Sequence, residues 1–132
     1  MERCTYIEIA GRSYPMTFSL GATKRIVAKY GSTEKMKKAL NAKGEEDKKL
    51  DLVTEMLELL ISQGCAYKNY FEKDLPAPEN APIINGKWEP VPKEIIEIAI
   101  GITDVDEIVE KISECINTGN KKEVESKPGK KK

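Results

Sequence analysis

Between Leu50 and Phe71 the chain reads LDLVTEMLELLISQGCAYKNYF. Stepped at about 100° per residue, Leu50, Leu52, Val53, Met56, Leu57, Leu59, Leu60 and Ile61 fall within an arc of roughly 200°, while Asp51, Thr54, Glu55, Glu58 and Ser62 fill the remainder. A surface helix needs only about half that apolar width. The pattern therefore predicts a long central helix sandwiched on two flanks, with a narrow acidic ridge left in water. Tyr67, Tyr70 and Phe71 extend the same arc, so the helix is expected to run past Gly64. A glycine inside a helix costs about 1 kcal/mol against alanine unless its missing side chain admits a neighbouring backbone.

Before that helix the periodicity is mixed. Thr5 to Ile9 and Ser13 to Phe18 alternate, with Ile7 and Ile9 on one face of the first stretch and Tyr14, Met16 and Phe18 on one face of the second. With Ala10-Gly11-Arg12 between them they predict a hairpin over 5–18. An isolated ribbon is marginally stable, so its apolar face is expected to lie on helices. Pro15 points away from that face and cannot donate to a ladder, which predicts an edge strand or one bonded only on alternate sides. Ser19 then caps a helix to Tyr30 with Leu20, Thr23, Val27 and Tyr30 as its stripe, stopped by Gly31. Ser32 caps a second helix, Thr33 to Ala42, which has Met36, Ala39 and Leu40 to bury and lies loosely at the surface. The run Glu45, Glu46, Asp47 favours the start of the central helix through the macrodipole.

After it, residues 75–92 hold five of the seven prolines and predict a wrapped, extended loop. Within this loop Asn85-Gly86 has the signature of a tight hairpin turn, able to add a small ribbon to the N-terminal one. Trp88, the only tryptophan, reads first as the plug sealing the loop to the core and second as a partner anchor. Helical period returns over 93–117. Ile95, Ile98 and Ala99 form one stripe, then Asp104-x-x-Glu107 reads as a capping box for a helix burying Val105, Ile108, Val109, Ile112, Cys115 and Ile116.

The fold class is thus α+β, mostly helical: an N-terminal hairpin packed on about five helices around a long central one. Residues 1–117 form a single globular domain, with 19–74 helical before the proline-rich loop. Residues 118–132, with six lysines and two glutamates, have one aliphatic residue and are expected to be a disordered basic tail. The formal charge of the chain is zero, so a body of net −4 precedes a tail of net +4.

Candidate chemistry is sparse. The chain has no histidine, which removes the commonest general base and metal ligand. Cys4, Cys65 and Cys115 are an odd number without CxxC spacing, consistent with reduced intracellular thiols. Glu55 with Glu58, and Asp104 and Asp106 with Glu107, read as a solvated ridge and a helix cap. Glycine-rich phosphate loops are absent. No catalytic, cofactor or metal site is expected, and the chain does not read as an enzyme. No apolar run reaches the roughly 20 residues of a membrane span and no secretory signal is evident, which predicts a cytoplasmic protein. Basic residues from Lys24 to Lys43, on two short helices, superficially resemble a helix-turn-helix, giving as alternative a small DNA-binding regulator using residues 20–43. The second helix opens Thr33-Glu34-Lys35-Met36, without the base-reading side chains such a module needs, so nucleic acid is the lesser reading.

The segment IEIAGRSYPMTFSLGATKRIVAKYGS carries Gly11-Arg12, Tyr14-Pro15, Phe18, Leu20-Gly21-Ala22 and Lys29-Tyr30-Gly31. In this it resembles the opening of the small tail assembly chaperones of siphophages and prophages: short strand, Gly-Lys/Arg, x-Tyr-Pro, apolar strand, then a helix with a Lys-Tyr-Gly-like stop. Beyond those residues the agreement is one of kind only. The resemblance implies a non-enzymatic assembly factor that holds the tape measure protein while tail tube subunits polymerise, acts in the host cytoplasm and is absent from the mature virion. Apolar surface left uncovered would serve self-association or a long helical client. Tyr67, Tyr70, Phe71 and Trp88 are the candidate protein-binding residues, most of them expected in the core and one or two at a contact.

Overall fold

The computed structural model describes residues 4–44 and 46–125. The hairpin forms from β1 (Thr5–Ile9) and β2 (Arg12–Met16), antiparallel, with Ile9 opposite Arg12 and Thr5 opposite Met16. The turn between them is the two residues Ala10 and Gly11, both with positive φ (51° and 81°), the twist that a two-residue hairpin connection requires. Counting outward from the closing Ile9–Arg12 pair, Ser13, Pro15 and Thr17 turn their backbone nitrogens away from β1. Pro15 therefore loses no ladder bond. Its neighbours use theirs: Ser13 donates to Asn80 O (3.0 Å) and Thr17 to Leu60 O (3.1 Å).

The central helix, α3, spans Glu46–Phe71 after α1 (Leu20–Tyr30) and α2 (Thr33–Asn41). Leu52, Val53, Met56, Leu57, Leu60 and Ile61 are buried along it, as the wide apolar arc predicts. Thr54, read as polar-face, is buried too. Its hydroxyl donates to the carbonyls of Leu50 and Asp51, which removes the cost of taking it from water. On the far side of that arc β2 crosses α3 at Gly64. A Cβ there would stand 2.2 Å from Pro15 O and 2.8 Å from Met16 N, so only glycine allows the strand to reach the helix. The close approach buries Pro15, which the alternation had turned away from the packed face. An edge strand it is, but a covered one.

Both short helices begin at serine caps: Ser19 Oγ accepts from Ala22 N and Ser32 Oγ from Lys35 N, each at 3.1 Å. Gly31, with φ 93°, ends α1 by donating to Val27 O. The buried stripe of α1 is Ala22 and Ile26, not the predicted Leu20 and Val27, which are exposed. Ser19 fixes that rotation, since its hydroxyl also donates to Gln63 on α3. Met36 and Leu40 of α2 are fully buried, so this helix is pinned more firmly than its sparse apolar content suggests.

Asn85 and Gly86, with φ 54° and 80°, form the tight turn between β3 (Ile83–Ile84) and β4 (Lys87–Trp88). This ribbon is a separate sheet and does not extend the N-terminal one. It is held to α3 by Asn69, whose side chain accepts from Trp88 N (2.8 Å) and donates to Trp88 O (3.0 Å). From the other side, Arg12 Nη1 donates to Ala81 O (3.1 Å), fastening the proline-rich loop to β2.

Two helices close the domain, α4 (Lys93–Ala99) and, after one 3-10 turn at Ile102–Asp104, α5 (Val105–Glu125). The predicted α5 stripe from Val105 to Ile116 is buried throughout. Asp104 caps backwards, accepting from Gly101 N at 2.8 Å, where a box with Glu107 was expected. α5 runs past 117, to Glu125. Gly119 lets it do so against the hairpin's exit, since a Cβ there would stand 2.8 Å from Phe18 Cβ. The rest of the predicted tail, 126–132, lies outside the described residues. Among the described residues the architecture is α+β and mostly helical, five α-helices, the N-terminal hairpin and the small β3–β4 ribbon organised on α3.

Candidate protein-binding surface

The four aromatics singled out from the sequence separate into two environments. Trp88 is 7% exposed, in the core beneath the β3–β4 ribbon. Lys68 Nζ lies 5.5 Å from the Trp88 ring centroid and 5.2 Å from that of Tyr6, so this buried ammonium is flanked by two π faces while Glu72 accepts from it at 2.7 Å. Trp88 is the plug, and its candidacy as a surface anchor is corrected by its burial.

The other three sit at the C-terminal end of α3. Tyr67 is half-buried, Phe71 is 68% exposed and Tyr70 80%. Phe71 stacks obliquely on Tyr67, with centroids 5.1 Å apart, and edge-on against Tyr70 at 5.4 Å. The expectation that most of the four lie in the core fails here for a simple reason. The arc continues, but the helix outruns its partners: Asn69 is its last residue tied to the ribbon, and the chain turns at Leu75, itself 59% exposed.

A second apolar surface escaped the sequence reading. Ile95 and Ile98, predicted as the buried stripe of α4, are 47% and 78% exposed, and Ile102 is 66% exposed; Ile96 alone is fully buried. Isoleucines at 95, 96 and 98 cannot all share one face of a two-turn helix, and Ile100 and Ile102 follow directly after it, which is the signal that some must face outward. Beside them a groove of about 400 Å³ runs between α3 and residues 100–105, floored by Leu50, Val53, Ile100 and Val105 and edged by Asp47, Asp51 and Glu97.

Glu55 and Glu58, read from the sequence as a solvated ridge, are engaged in holding the helices together. Glu55 accepts from Lys29 and from the Tyr30 hydroxyl (2.6 Å), and Glu58 accepts from Lys93 N (3.0 Å). Partial burial opposes ionisation of Glu55, but the bonds from Lys29 and Tyr30 outweigh it and hold its carboxyl below the usual range. Burial, then the bond to Glu55, raises the Tyr30 phenol. Lys93 is raised by its 2.5 Å contact with Asp51. All three cysteines are buried thiols, Cys4 with its sulfur 3.1 Å from the Thr17 hydroxyl, and burial pushes the thiols of Cys65 and Cys115 up to about 12. Among the described residues no group of three or more His, Cys, Asp or Glu is placed to hold a metal ion, and no helix is long and apolar enough to cross a membrane. Comparison of the chain with protein-family models, curated proteins and solved structures finds no match.

Proposed function

We infer that this protein is a phage tail assembly chaperone: a non-enzymatic factor that binds the tape measure protein during tail morphogenesis in the host cytoplasm and leaves before the virion is complete. The observation that carries this reading is the solvent-facing Tyr70–Phe71 pair at the end of a helix that is otherwise well packed. Large aromatics bring apolar area with little rotamer entropy to lose, which suits them to gripping a polypeptide. The bare isoleucines around α4 supply a second contact surface, used for self-association. The N-terminal strand-Tyr-Pro-strand-helix resemblance supports the same reading. Tail tube protein is a further candidate partner.

Less supports the DNA-binding alternative. Lys29, in the middle of the basic helix pair, is committed to Glu55, and the second helix opens on a threonine and a glutamate. Sedimentation velocity of the protein with its cognate tape measure protein tests the main reading. Co-migration and self-association at micromolar concentration are expected; a strict monomer that ignores the client refutes it. A gel shift with duplex DNA is expected to show no complex.

A further inference from the structure

Charge on this molecule is segregated. Residues 20–43, covering α1 and α2, hold seven basic side chains and one acidic, net +6, whereas residues 93–110, covering α4 and the start of α5, hold six acidic and one basic, Lys93, which is paired with Asp51, net −5. Most of these side chains are exposed. Among the described residues Lys24, Arg25, Lys35 and Lys38 have no carboxylate partner, and Glu94, Asp106, Glu107 and Glu110 have no cationic one. Each region also exposes apolar side chains in the midst of its charge. On α1, Leu20 (76% exposed) and Val27 (44%) lie seven residues apart with Lys24 between them, so the three share one outward stripe. On the acidic side Ile95, Ile98 and Ile102 stand beside the groove edged by Asp47, Asp51 and Glu97.

We propose that these two surfaces bind one another between copies of this chain, the basic α1 stripe of one copy lying on the acidic, isoleucine-bearing α4 surface and its groove in the next. The inference rests on the self-association included in the chaperone reading and names the surfaces that produce it. A client would have to bring its own basic amphipathic helix; a second copy already carries one, of opposite charge. Complementary potentials fix register and speed encounter, and the apolar side chains between them supply the area that leaves water. The two surfaces are different, so the contact either repeats from copy to copy or is made twice across a two-fold axis. The Tyr70–Phe71 pair belongs to neither surface and is left for the client.

The test is a charge swap read by sedimentation. Lys24→Glu with Arg25→Glu, and separately Glu94→Lys with Glu97→Lys, are each expected to weaken self-association at least about tenfold while melting at the wild-type temperature. The chain carrying all four changes is expected to associate again, because the two surfaces are complementary once more. Without any variant, wild-type association is expected to weaken as salt rises from about 0.05 to about 0.5 M. Association that survives either swap, fails to return in the fourfold variant or ignores salt would overturn the proposal. Pull-down of the tape measure protein by the same variants separates the two readings. Client binding retained by a protein whose self-association ignores the swaps leaves the chaperone reading intact and removes this one. A wild-type protein that binds no client removes the chaperone reading whatever the swaps do.

Discussion

The central helix is held on two flanks in opposite ways. Where β2 crosses α3, backbone meets backbone at Gly64 and α5 closes behind the hairpin with every position of its stripe from Val105 to Ile116 buried. Where α4 lies on α3, one side chain, Ile96, goes fully inside while Ile95 and Ile98 face out. Both flanks are rich in aliphatic residues. What differs is the extent of partner surface available to cover them, and so a similar composition makes a core on one side and an unsatisfied surface on the other.

Substitutions grade this contrast. The largest effect is expected from Gly64→Ala, because the new methyl meets a carbonyl and an amide that cannot swing aside; a loss of about 3 kcal/mol or more by denaturant unfolding is expected. A change of less than about 1 kcal/mol would show that the crossing is looser than the 2.2 Å approach implies. Ile112→Ala on α5 empties a fully buried site and should cost about 3 kcal/mol. At Ile98 on α4, 78% exposed, serine is expected to leave stability within about 0.5 kcal/mol while weakening self-association. Equal destabilisation by the last two would erase the distinction between the flanks.

The smallest expected effect lies on the ridge between them. Glu55 has a folded pKa below its ordinary 4.5, so its contribution to stability is complete above that value and is lost as pH falls through the folded pKa. The stability gap between wild type and Glu55→Gln should therefore be present at pH 7 and close at acid pH. A gap that widened on acidification would contradict the assigned bonds from Lys29 and Tyr30.

Much of the first flank was legible because periodicity is a backbone property. The α3 arc, the α5 stripe, both serine caps and the Asn85-Gly86 turn all follow from local rules that the tertiary structure obeys. Gly64 was legible as well: a glycine on an apolar arc signals a close approach, although the sequence does not say that Pro15 makes it. The second flank resisted for a physical reason. Helical period identifies which isoleucines share a face, but rotation about the helix axis is chosen by the partner, and α4 turns Ile96 inward instead of Ile95 and Ile98. The same limit applies to α1, where the tie from Ser19 to Gln63 selects Ala22 and Ile26 over Leu20 and Val27. At the end of α3 the arc continues to Phe71 while the partners stop. Periodicity carries no information about where a helix leaves its neighbours, so it did not say which of Tyr67, Tyr70, Phe71 and Trp88 stand at the surface.

The central claim is that those two rings grip another polypeptide. It is tested most directly by calorimetric titration of the cognate tape measure protein into the wild-type protein and into Tyr70→Ser with Phe71→Ser. Binding that is present in the wild type and lost in the variant, with the melting temperature unchanged, is the predicted result. Equal heats from both proteins, or none from the wild type, would contradict the account.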